Sequence, residues 1–230
     1  MTARHPLPMQ WLFSDERSAM AVSRLAASLP PGSGIVLRHD GLPPGARWRL
    51  LRRLMRLSRT RGLTVLLAGD PATARRWGAD GVHLRQRDAH RAHQAHALGL
   101  ILTLPVHDGR EARRARRARA RGVFVSPLHP TRSHPGVPTL GRAAWLRIAR
   151  LAGGQPVALG GMTAARARQL SRANSITTGW AAIDAWEEKA AKRRARAASD
   201  SDQGESKMAA LRDPARSTLD ARGRQKHGRW

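Results

Sequence analysis

The stretch Gly78-Ala-Asp-Gly-Val-His-Leu-Arg-Gln-Arg-Asp88 reads as a short buried strand ending in a polar, acidic tip. Val82 and Leu84 carry the strand propensity, Gly78 and Gly81 punctuate its entry, and Asp88 followed by Ala89 has the form of a helix N-cap and first turn. The unit before it repeats the form. Leu63 to Ala68 is a continuous apolar run, Gly69-Asp70 closes it, and Pro71 stands where a helix would begin. If the two strands are parallel neighbours, Asp70 and Asp88 share one end of the sheet, where two carboxylates could hold a divalent cation against a phosphate.

The same alternation extends in both directions. Strands are expected at 10–14, 34–37, 100–104, 123–125, 155–159 and 176–178, beside the two at 63–68 and around Val82. Helices are expected between them, among them 18–29, 71–77, 89–98, 109–120, 143–151 and 163–173. A further helix opens at Pro43-Pro44 and stops at Gly62, with Trp48, Leu51 and Met55 on its apolar face. Eight strand and helix pairs in about 180 residues match a compact (β/α)8 TIM barrel, with an open doubly wound sheet as the alternative. The barrel is preferred because polar tips recur after nearly every strand. Residues 1–186 form this single domain. From 187 to 230 the chain turns polar and basic without apolar periodicity, as a disordered tail does.

Composition narrows the chemistry. With 230 residues, 41% of them hydrophobic, the chain can bury one full core. Zero cysteines exclude disulfides, thiolate catalysis and cysteine-bound metals. No long apolar run or basic-then-apolar leader stands in the sequence, so no membrane contact and a cytoplasmic location are expected. The net charge of +26 invites a nucleic-acid reading. The excess is arginine spread through every helix among alanines, without interleaved aromatics, so specific nucleic-acid recognition is not expected. His90, His93 and His96 share one side of a helix but lack acidic partners, and read as a solvated face. Gly160-Gly161 stand between a strand and a helix, where free backbone N–H groups can receive an anion.

Taken in order, the tips resemble the thiamine phosphate synthase and TenI-like family. The matching pieces are Leu37-Arg38, Gly69-Asp70, Gly78 to Leu84 with Gln86 and Asp88, Val106-His107, Pro130-Thr-Arg-Ser-His134 and Gly160-Gly161. The resemblance implies a (β/α)8 barrel that joins a hydroxymethylpyrimidine diphosphate to a thiazole phosphate and releases pyrophosphate. It implies Mg²⁺ held by Asp70 and Asp88, a catalytic set of Arg38, Thr131, Ser133 and His134, and the thiazole phosphate on Gly160 and Gly161. Small-molecule substrates are the implied partners, with a homodimer left open. A TenI-like thiazole phosphate isomerase using His107, His129 or His134 as acid or base is the alternative, as is a non-catalytic ligand-binding relative. The sequence departs from the family pattern at Asp40, where a lysine is usual, Gly69 (asparagine), Arg85 (glycine), Pro105 (serine) and His134 (lysine).

Overall fold

A computed structural model describes residues 6–18, 20–131, 136–173, 176–196 and 199. Eight parallel strands close into a barrel in sequence order: β1 (Gln10–Phe13), β2 (Gly34–Leu37), β3 (Thr64–Ala68), β4 (Gly81–His83), β5 (Ile101–Val106), β6 (Gly122–Val125), β7 (Gln155–Ala158) and β8 (Gly179–Ala182). β8 pairs with β1 through Gln10 and Trp180, which completes the ring. The strands are almost continuously buried, as expected when helices cover the outside and side chains fill the inside. The intervening helices are α1 (Val22–Ser28), α2 (Pro44–Arg61), α3 (Pro71–Trp77), α4 (Ala92–Ala97), α5 (Gly109–Arg117), α6 (Gly141–Ala152) and α7 (Ala164–Arg172). The fold is therefore the expected (β/α)8 barrel. It belongs to a compact unit, Met1–Glu187; a second unit, Glu188–Trp230, is helical over 188–196, and most of the expected tail lies outside the described residues.

The lower interior is built on glycine. The first residue of every even strand is Gly34, Gly81, Gly122 or Gly179, so the layer that alternate strands normally fill with side chains has none of its own. Neighbours occupy the space instead. A Cβ on Gly34 would lie 2.1 Å from the Trp11 ring, one on Gly81 2.7 Å from Leu66, and one on Gly122 2.9 Å from Leu7. Trp11 is fully buried, its indole N–H donating to the Pro8 carbonyl at 2.7 Å, and it packs edge-on against Phe124 at 5.4 Å.

Three local expectations change. β8 begins at Gly179 rather than Ile176, because Thr178 spends its hydroxyl on the Ile176 carbonyl in a local turn and barrel closure selects the residues opposite β1. Gly78 does not enter β4 but caps α3 in the left-handed region (φ 81°). Asp88 is not an N-cap: it lies inside a 3₁₀ turn, Gln86–Arg91, whose leading residue is Arg85, and α4 starts only at Ala92. In α2, Leu51 and Leu54 are buried while Trp48 is exposed. An 18-residue helix of ~27 Å overreaches four-residue strands of ~13 Å.

Candidate active site

A cavity of about 500 Å³ opens at the C-terminal ends of the strands, the end where barrels of this kind carry their ligands. Phe13, Ala68, His83 and Ala181 lie deep on its wall. His83 ends β4, shares a 3.0 Å hydrogen bond between Nδ1 and the Thr103 hydroxyl, and packs edge-on to Phe13 and Phe124 at 5.4 and 5.3 Å. Burial, assisted by the positive charge of Arg38, pushes its pKa down to about 3, so the ring is neutral at physiological pH.

The rim is charged. At the end of β2 the Ser14 hydroxyl accepts the Arg38 N–H at 2.8 Å and bonds His39 Nδ1 at 2.8 Å, fixing the chain where it leaves the barrel. The Arg38 guanidinium lines the cavity and has no hydrogen-bond or ion-pair partner among the described residues. Two residues on, Asp40 sits between two arginines, 2.9 Å from Arg47 and 2.7 Å from Arg85. Arg47 also donates to the Ala68 carbonyl at 2.6 Å, and burial lowers its pKa. Beyond β5, Glu111 accepts from the His107 backbone N–H at 2.7 Å and pairs with its ring Nδ1 at 2.8 Å; both residues line the cavity.

Of the residues given a site role in the sequence, Arg38, His107, Thr131, Gly160 and Gly161 line this cavity, and His129 does not. Gly160 and Gly161 hold φ of 93° and 58°, and a Cβ on Gly161 would lie 2.4 Å from the Pro130 carbonyl oxygen, so glycine is required there. Their N–H groups meet no acceptor among the described residues, which leaves them available to an anion. Ser133 and His134 lie outside the described residues.

Asp70 and Asp88 do not line the cavity. Asp70 caps α3: its Oδ2 accepts the Thr73 N–H at 2.7 Å and hydroxyl at 2.8 Å, while its Oδ1 is 2.5 Å from Arg91. Partial burial works to raise its pKa, but the Thr73 hydrogen bonds and the Arg91 charge prevail and hold it below the ordinary carboxylate range. Among the described residues, Asp88 has one ion-pair partner, Arg87 at 3.9 Å. A Mg²⁺ ion needs oxygens free to complete a near-octahedral shell. Both Asp70 oxygens already accept hydrogen bonds, three between them, and among the described residues no three histidine or acidic side chains converge. As placed, the pair does not fit the ion. Sequence reading missed Arg47 and Glu111. The i, i+4 spacing of His107 and Glu111 was the available signal for the second; Arg47 carried none among so many arginines.

A family model described as thiamine monophosphate synthase matches residues 13–185. The thiamine phosphate pyrophosphorylase of Pyrococcus furiosus superposes with a TM-score of 0.64 at 22% identity, covering 77% of this chain and 85% of that one. FabK from Thermotoga maritima gives 0.64 at 13% identity over 79% of this chain and 59% of its own, and a native KDPGal structure gives 0.57 at 13% over 85% and 100%. At such identities the superpositions establish the fold alone. No curated protein sequence matches.

Proposed function

Because this chain belongs to the thiamine monophosphate synthase family, we propose that it joins hydroxymethylpyrimidine diphosphate to a thiazole phosphate and releases pyrophosphate. The observation that carries this reading is one cavity with two separate places for anions. Arg38, after β2, offers a guanidinium without a partner among the described residues, and Gly160-Gly161, after β7, offer backbone N–H groups that meet no acceptor among them. Two phosphorylated substrates need two such places.

In the reaction the bond between the pyrimidine methylene carbon and the diphosphate oxygen breaks, and pyrophosphate leaves with the electron pair. The thiazole ring nitrogen supplies its lone pair to the methylene carbon and becomes a cation. Catalysis of such a departure rests on neutralising the leaving group and on holding the nucleophile in line, with little proton transfer required. Arg38 answers the first need. Gly160 and Gly161 answer the second by receiving the thiazole's phosphate, and Thr131 on the cavity wall is a further substrate contact, with Ser133 and His134 assigned to the same role from the family resemblance alone. Phe13 and neutral His83 line the deep wall, where a dry surface protects the electron-poor methylene from water.

Pyrophosphate release from the purified protein should require both substrates together. No release when both are supplied overturns the proposal. The His107–Glu111 pair on the cavity wall favours a second reading, acid/base isomerisation of the thiazole phosphate. That activity would move solvent deuterium into thiazole phosphate in the absence of the pyrimidine substrate. A thiazole phosphate that stays unlabelled removes it.

A further inference from the structure

We propose that this chain neutralises its diphosphate with guanidinium groups in place of a divalent cation, and that Arg85, positioned by Asp40, is the added contact. The inference rests on the reading that the cavity receives a diphosphate.

The first observation is that the expected cation site is already satisfied from within. The Arg91 guanidinium stands 2.5 Å from Asp70 Oδ1, and the α3 cap takes Oδ2. A strongly hydrated Mg²⁺ would have to displace an ion pair and gain one carboxylate oxygen for it. The second observation joins two departures from the family pattern into one. Asp40 and Arg85, 45 positions apart in sequence, meet at 2.7 Å on the cavity rim. Taken alone, Asp40 puts a negative charge where a diphosphate would be repelled.

In the structure it links a chain of contacts. The Ala68 carbonyl holds Arg47 at 2.6 Å, Arg47 holds Asp40 at 2.9 Å, and Asp40 holds Arg85 over the mouth. Asp40 takes one of the five N–H donors of Arg85, and the others have no acceptor among the described residues. A planar guanidinium so anchored can meet two phosphate oxygens at once, and Arg38 lines the same cavity. Asp40 is thus a positioning residue and Arg85 a binding one.

Calorimetric titration with inorganic pyrophosphate in EDTA tests this. The protein should bind it without metal, and added Mg²⁺ should tighten binding by no more than about threefold. Arg85→Ala should weaken binding about tenfold or more, whereas Arg87→Ala, an exposed neighbour, should leave it unchanged. Asp40→Asn removes a negative charge yet should also weaken binding. Retention of the wild-type melting temperature by each variant establishes that the losses are not unfolding.

Binding that appears only with Mg²⁺ overturns the inference and leaves the proposed function standing. Binding in neither condition overturns both. Equal losses in Arg85→Ala and Arg87→Ala would reduce the site to general surface charge, and tighter binding by Asp40→Asn would make Asp40 a repulsive group, each defeating the assignment.

Discussion

His83 shows how one residue can serve the barrel and cost it stability in acid. Its pKa in the fold, about 3, lies below the 6.5 of an ordinary histidine, so the unfolded chain binds the proton more readily. The stability from this group is therefore complete above about 6.5 and is lost as the pH falls from 6.5 toward 3. Urea midpoints at pH 7 and pH 5 should differ less in His83→Asn than in the wild type; an unchanged difference would mean that His83 is accessible to protons in the fold. Gly161 gives a second test at this scale. An alanine there meets the Pro130 carbonyl oxygen at 2.4 Å in a left-handed backbone. The expected cost is about 1–3 kcal/mol in chemical denaturation. Thiazole phosphate binding should weaken with it, since the N–H groups of this turn are the proposed phosphate ligands.

Among the elements, the barrel's glycine layer makes the sharpest demand. Gly34→Ala would drive a methyl group to 2.1 Å from the Trp11 ring, which cannot swing aside while its N–H is tied to Pro8. A loss of about 3 kcal/mol is expected, and pairing it with Trp11→Leu should recover part of that loss, a coupling that a double-mutant cycle reads directly. The strands themselves were legible because a parallel barrel buries both faces, so 34–37 and 65–68 appear as unbroken apolar runs. β8 was not, since its place is set by closure against β1 while the β-branched residues Ile176 to Thr178 precede it. The capping role of Asp88 failed for a related reason: the chain needs a 3₁₀ turn to pass from β4 to α4, and that turn carries Asp88 away from a helix start. Of the site, Arg38 and the glycine pair could be read from local motifs. Asp40 and Arg85 could be read only as two isolated anomalies, because the contact that unites them exists only after β2 and β4 have been brought to the same rim.

Across the whole molecule the net charge of +26 acts on every anionic ligand before any contact forms. Arg110, Arg113, Arg116 and Arg117 stand exposed on α5, and Arg142, Arg147 and Arg150 on α6, with Glu111 the one acid in either helix. Such a field and a built site respond differently to salt. The field is screened over a Debye length of about 10 Å at 0.1 M ionic strength and about 3 Å at 1 M. A guanidinium in contact with a phosphate is closer than either length and is screened far less. Pyrophosphate affinity should therefore fall as salt is raised from about 0.1 to 1 M, while the ratio between wild type and Arg85→Ala stays nearly constant. Calorimetry across that series separates the two contributions. If the ratio collapses toward one at high salt, the whole attraction is long-range and Arg85 makes no contact; if it persists, the rim arginine recognises the ligand within a surface that attracts anions everywhere.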